Sequence, residues 1–129
     1  MSTTQDSCYA TMMLGTSTRP PMLIPGYYTL WALRFKAWLT HFDDAKYLLN
    51  SIKNGPYVMK QIADPSHPVF TITQSEGDLN DDELKQYRAD FRAKHFIMLA
   101  IPNDLFSYVD QHQNAHDMWQ ALESLHNKE

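Results

Sequence analysis

The side chains that could do chemistry are few and scattered. His112 and His116 stand four residues apart, the spacing that puts two imidazoles on one helical face for a metal ion. They straddle the break expected at Asn114, however, and no third ligand stands out. The one cysteine, Cys8, excludes an intramolecular disulfide and any zinc site built from several thiolates. His41 beside Asp43 and Asp44 makes an acid–base grouping, but at a helix end, where polar side chains cap and solvate. Ser7 and Cys8 fall in a Ser/Thr-rich stretch with no element to hold a nucleophile against a base. The four glycines form no phosphate-cradling loop. No catalytic, cofactor-binding or metal-binding residue is expected, and the chain reads as a non-enzyme.

Lys85, Arg88 and Arg92, continued by His95, fall on one stripe of a helix. They are weak candidates for contact with RNA phosphate or an acidic partner. Asp81, Asp82 and Asp90 lie close in sequence, so ion pairing along a solvated face accounts for the stripe better. The net charge of −4 also argues against a sequence-independent phosphate binder, which carries a basic surplus. Nucleic acid is therefore expected to bind this segment weakly if at all. The amino end carries no basic region ahead of an apolar run, and no window reaches the roughly 20 apolar residues that cross a bilayer. The expectation is a soluble, cytoplasmic protein without a membrane partner.

The element that organises the rest is Tyr28–Phe42. At about 100° per residue, Trp31, Phe35, Trp38 and Phe42 form one narrow stripe, with Tyr28 and Leu39 at its edge. Large aromatics each bury roughly 150–250 Å², so a stripe of four needs a partner surface and predicts a core wall. Leu30 and Leu33 lie on the opposite flank. A second layer or another chain must cover them, which makes them candidate self-association residues.

Around that helix the chain divides simply. Residues 1–18 read as a flexible leader whose patch Met12, Met13 and Leu14 could dock on the core, and residues 19–129 read as a single α-helical lobe. Pro20 and Pro21 forbid helix, so Met22–Ile24 forms an extended arm that brings Leu23 and Ile24 beside Trp31. Asp43 is a candidate cap for a second helix, Asp44–Lys53, with Ala45, Leu48, Leu49 and Ile52 inward; Asn54-Gly55-Pro56 stops it. Tyr57–Asp78 reads as a long connecting loop, with a small hairpin as the alternative. Acidic Asp81, Asp82 and Glu83 suit the start of the longest helix, where free N–H groups favour negative charge. Its expected apolar face is Leu84, Tyr87, Phe91 and Met98, and Phe96–Ile101 is apolar all round. Pro102 ends it, and Asn103–Gln111 follows with Leu105, Tyr108 and Val109 inward. Asn114 and Asp117 resemble a capping box for a last helix with Ala115, Met118, Trp119, Leu122 and Leu125 inward. The fold class is thus all-α: a small irregular bundle of about five helices with an extended arm and one long loop.

Three patches in this order resemble the Gag (capsid) polyprotein of copia-type long-terminal-repeat retrotransposons. The first is Pro21-Met22-Leu23-Ile24-Pro25-Gly26-Tyr27-Tyr28-Thr29-Leu30-Trp31, similar to the family's apolar lead-in followed by tyrosine and tryptophan. The second is Asn54-Gly55-Pro56-Tyr57-Val58, similar to its glycine-proline stop. The third runs from Asp81-Asp82-Glu83-Leu84-Lys85 through Leu99-Ala100-Ile101-Pro102-Asn103-Asp104 to Ala115-His116-Asp117-Met118-Trp119-Gln120-Ala121-Leu122. Each patch is mostly packing residues, and their order carries the resemblance. It implies the N-terminal capsid lobe, a structural protein that self-assembles into particles, with further copies of itself and the remainder of a Gag polyprotein as partners. A complete Gag of this type continues into a second helical lobe and a zinc knuckle, so the lobe is either part of a longer Gag or a domesticated reading frame. The alternative is a domesticated Gag-derived binding module that captures a protein or peptide segment between its helices.

Overall fold

The computed structural model describes residues 12–127. Five helices make up most of it: α1 (Tyr28–Leu39), α2 (Ala45–Asn54), α3 (Asp81–Ala100), α4 (Asn103–Asp110) and α5 (Ala115–Asn127). Between α2 and α3 stands an antiparallel hairpin of β1 (Gln61–Ala63) and β2 (Thr71–Thr73), with Ile62 opposite Ile72. The fold is a small, mostly helical bundle. The long connection expected over 57–78 is this hairpin, the alternative reading, followed by a single 3-10 turn at Glu76–Asp78.

The aromatic line of α1 is the wall that the others meet. Trp31 and Phe35 are 2% and 0% exposed, and Trp119 of α5 lies 5.2 Å from the Trp31 ring and 5.6 Å from the Phe35 ring. One turn further on, Trp38 meets Phe42 and Phe96 of α3 edge-on, at 4.8 and 5.0 Å. Offset and edge-on rings at these separations add attraction beyond the area they remove from water. Arg92 is held over Phe42 and Phe96, 5.1 and 5.3 Å from their centroids, and pairs with Asp44.

Buried indoles need acceptors for their N–H groups, and the amino-terminal arm supplies both. The Trp31 indole donates to the Pro21 carbonyl at 2.9 Å, and that of Trp38 to the Thr16 carbonyl at 2.6 Å. The Leu23 amide reaches the Ala100 carbonyl at 2.7 Å, which fastens the arm to the end of α3. Pro20, Pro21 and Leu23 are buried as a result. The part of the expected leader at 12–18 is therefore tied down by backbone carbonyls and is no free tail; residues 1–11 lie outside the described residues. Gly15 makes the arm's bend at φ +76°, where a Cβ would come within 2.7 Å of the Arg19 carbonyl oxygen and 2.8 Å of the Pro21 nitrogen. Only glycine fits there.

Helix α3 crosses the bundle and packs on α2 and α5. Its buried face differs from the expected one. Ala89, Ala93, Ile97 and Ala100 point inward, whereas Phe91 is 51% exposed. Alanines let neighbouring backbones approach closely, so the small side chains sit at the helix crossings and the large ring stays outside. Phe91 instead meets Tyr87 edge-on under the Lys94 ammonium. Asp90, expected on the charged surface, is buried, and its Oδ1 accepts the Ser51 hydroxyl of α2 at 2.6 Å and the Ala115 amide of α5 at 3.1 Å. One carboxyl thus joins three helices.

The ends are capped mostly as the residue types predict. Asn114 Oδ1 accepts the Asp117 amide at 2.8 Å. At α3, Asn80 and Glu83 form a reciprocal box, Glu83 N–H to Asn80 Oδ1 at 2.8 Å and Asn80 N–H to Glu83 Oε1 at 3.0 Å. Tyr57 also donates to Glu83, so the Asn80 amide and then this hydroxyl hold the Glu83 carboxyl below the ordinary range, fastening the hairpin to α3. At α2 the cap position is Asp44, not Asp43, and it makes no side-chain cap because Arg92 engages it. In α4, Val109 is buried and Leu105 packs on the core, whereas Tyr108, expected inward, is 40% exposed.

Candidate interaction surface

With the aromatic stripe turned inward, no described helix covers the opposite side of α1. Leu33 is 65% exposed, Leu30 38% and Tyr27 50%, one apolar strip along the helix. Beside it α1 and α5 leave an open groove of about 660 Å³ that Leu30, Leu33, Lys36, Trp119, Glu123 and His126 help to line. A second hollow of about 420 Å³, against Leu49 and Ile52 of α2, meets the first at Trp119, Lys36 and Glu123. The strip and the two hollows form one continuous face.

The charged groups that line the two hollows are Lys36, Lys53 and Glu123. Trp119 is fixed by its stack on Trp31, and one turn later on α5 Glu123 reaches the groove. The Lys36 ammonium stands 5.2 Å over the Trp119 ring. No ion pair joins Lys36 or Glu123 to another described residue. Tyr28 closes the far end, its ring stacked on His126 at 4.3 Å and 9°. Partial burial and then the Glu123 carboxylate push the Tyr28 hydroxyl up to about 12.

That shift fixes a direction with pH. The unfolded chain releases the Tyr28 proton near pH 10, and the folded chain only near 12. The stability gained by keeping the hydroxyl neutral is therefore complete below pH 10 and is lost as pH rises to 12. A difference titration of phenolate absorbance between the native chain and Tyr28→Phe should show one phenolate forming near pH 12. Glu123→Gln should bring that midpoint down; a midpoint at the ordinary tyrosine value would contradict the packing described.

The residues that suggested chemistry are not brought together. His116 bonds through Nδ1 to the Ile52 carbonyl at 2.8 Å, His112 meets Tyr108 edge-on, and His41 lies 3.2 Å from the Trp38 carbonyl. Among the described residues no three His, Cys, Asp or Glu side chains cluster as a metal site would. Ser7 and Cys8 lie outside the described residues. The basic stripe is divided: Arg88 pairs with Glu76 at 3.5 Å, Arg92 is held by Asp44, Phe42 and Phe96, and Lys85 is exposed. The carboxylates that Arg88 and Arg92 use come from other elements, not from the neighbouring Asp81, Asp82 or Asp90.

Leu30 and Leu33 are thus found where the sequence put them, but it did not point to Lys36, Glu123 or Tyr27 beside them. The spacing of Trp119 and Glu123 by one helical turn was the available signal. No helix among the described residues is long and apolar enough to cross a membrane. The sequence matches no family model and no curated protein, and the fold matches no solved structure.

Proposed function

We propose that this chain is a structural, non-enzymatic lobe of the Gag capsid kind, which self-associates through the outward face of α1, one of the contacts from which particles are built. The observation that carries this reading is the strip of Tyr27, Leu30 and Leu33, exposed beside an open groove although the aromatics of the same helix are buried. Exposed apolar side chains that adjoin one another beside a groove mark a site of interaction. The order of sequence patches that resembles copia-type Gag supports the same reading.

Light scattering on the purified chain over a concentration series tests it. The average mass should rise with concentration, and Leu33→Asp should hold the chain monomeric by placing a carboxylate in the contact. Because Leu33 is largely exposed, that variant should melt within a few degrees of the native chain. A native chain that stays monomeric at millimolar concentration would overturn the proposal. The groove itself favours a second reading, a Gag-derived module that seats a peptide, for which the expected behaviour is a monomer with a captured partner.

A further inference from the structure

We propose that the partner seated on the α1 face is a second copy of this chain related by a two-fold axis, with Lys36 of each copy paired to Glu123 of the other. The inference rests on the self-association reading and adds the geometry of the contact. A two-fold interface uses the same patch on both copies, so the patch must satisfy itself: each group needs its complement on the same face. This face meets that condition. It carries an apolar strip, the cations Lys36 and Lys53 and the carboxylate of Glu123, none of them in an ion pair with another described residue, and Lys36 and Glu123 line both hollows beside Trp119. Within one copy the two are not joined as an ion pair.

The spacing along α1 also fits. Lys36 follows Leu33 by three residues, about 4.5 Å of helix rise, so an axis passing beside Leu33 places each Lys36 one turn away from it. There it faces the α5 rim of the other copy, where Glu123 stands. The sequence of α1 contains Arg34 and Lys36 and no acidic residue, so two α1 helices packed alone repel. The acidic group must come from α5, which sets the copies in the groove and not helix on helix. A foreign partner would have to bring its own base and acid in matching positions; a second copy already has them.

Charge exchange tests the pairing in sedimentation velocity runs on the whole chain at low salt. Lys36→Glu and Glu123→Lys each turn two attractive pairs per dimer into two repulsive ones, which should weaken association roughly tenfold. An equimolar mixture of the two variants restores both attractions, as does K36E/E123K in one chain, and both should return association close to native strength. The double variant also lacks the ammonium over Trp119, so its recovery separates charge pairing from any loss of that contact. If the single variants associate as the native chain does, or neither the mixture nor the double variant recovers, while Leu33→Asp still abolishes association, the pairing is wrong and the self-association reading stands. If the native chain is monomeric, or Leu33→Asp associates normally, both fail. Species that grow beyond dimers, with the same charge dependence, would replace the two-fold axis by a head-to-tail contact and overturn the geometry.

Discussion

Trp31→Ala should abolish cooperative folding. The ring is 2% exposed and touches Tyr28, Phe35 and Trp119, and its N–H holds the arm through the Pro21 carbonyl. Truncating a buried tryptophan to alanine costs about 3–5 kcal/mol from lost contacts and the cavity left behind. Freeing the buried Pro21 carbonyl adds about 1 kcal/mol or more. The sum approaches the total stability of an ordinary domain, about 5–15 kcal/mol. Near-ultraviolet circular dichroism should flatten and the melting transition should broaden or vanish. Trp31→Phe keeps most of the ring and gives up the indole N–H, so it should remain folded and less stable by about 2 kcal/mol. A Trp31→Ala chain that melts sharply within a few degrees of native would show that the α1–α5 stack is not the centre of the fold.

Asp90→Ala should be the most damaging change of a polar residue. It leaves the Ser51 hydroxyl and the Ala115 amide, both buried, without their acceptor. Each unsatisfied donor costs about 1–3 kcal/mol, and Ser51 can recover part by turning to a carbonyl of its own helix. A net loss of about 3 kcal/mol lowers the melting temperature of a domain this size by roughly 10 °C. Asp90→Asn keeps one acceptor oxygen and should lose about half as much. Because the carboxyl joins α2, α3 and α5, amide exchange should speed up at all three helices in Asp90→Ala. Faster exchange confined to α3 would contradict the three-way junction.

How legible these features were follows from what each is made of. The α1 stripe was legible because its signal consists of large rings at helical spacing, and the structure buries the same rings. On α3 the same logic misled. Phe91 drew the expected face toward itself, whereas Ala89, Ala93 and Ala100 carry no size signal although close helix packing needs small side chains. In sequence Asp90 reads as surface because carboxylates usually are, and only its three-dimensional neighbours reveal the exception. The arm at 12–18 is held through backbone carbonyls, which every residue has, so apart from the apolar patch Met12, Met13 and Leu14 no residue type announces it. In sequence 57–78 reads as a loop, with a hairpin only as the alternative, because three-residue strands are too short to show alternation and Pro65 and Pro68 interrupt the pattern. For the interaction face, the exposed leucines were readable from helical phase alone. The charges beside them depend on α5 lying against α1, a contact between residues far apart in the chain.

Amide and indole NMR spectra recorded on dilution decide whether the outer face of α1 is a contact surface between copies. Self-association through α1 gives concentration-dependent shifts gathered at Leu30–Ala37, at the Trp119 indole and along Glu123–His126, with Val69 and Phe70, the exposed apolar residues at the hairpin tip, unmoved. Spectra that do not change over a thousandfold dilution from about millimolar concentration, or shifts gathered at Val69 and Phe70, would contradict it.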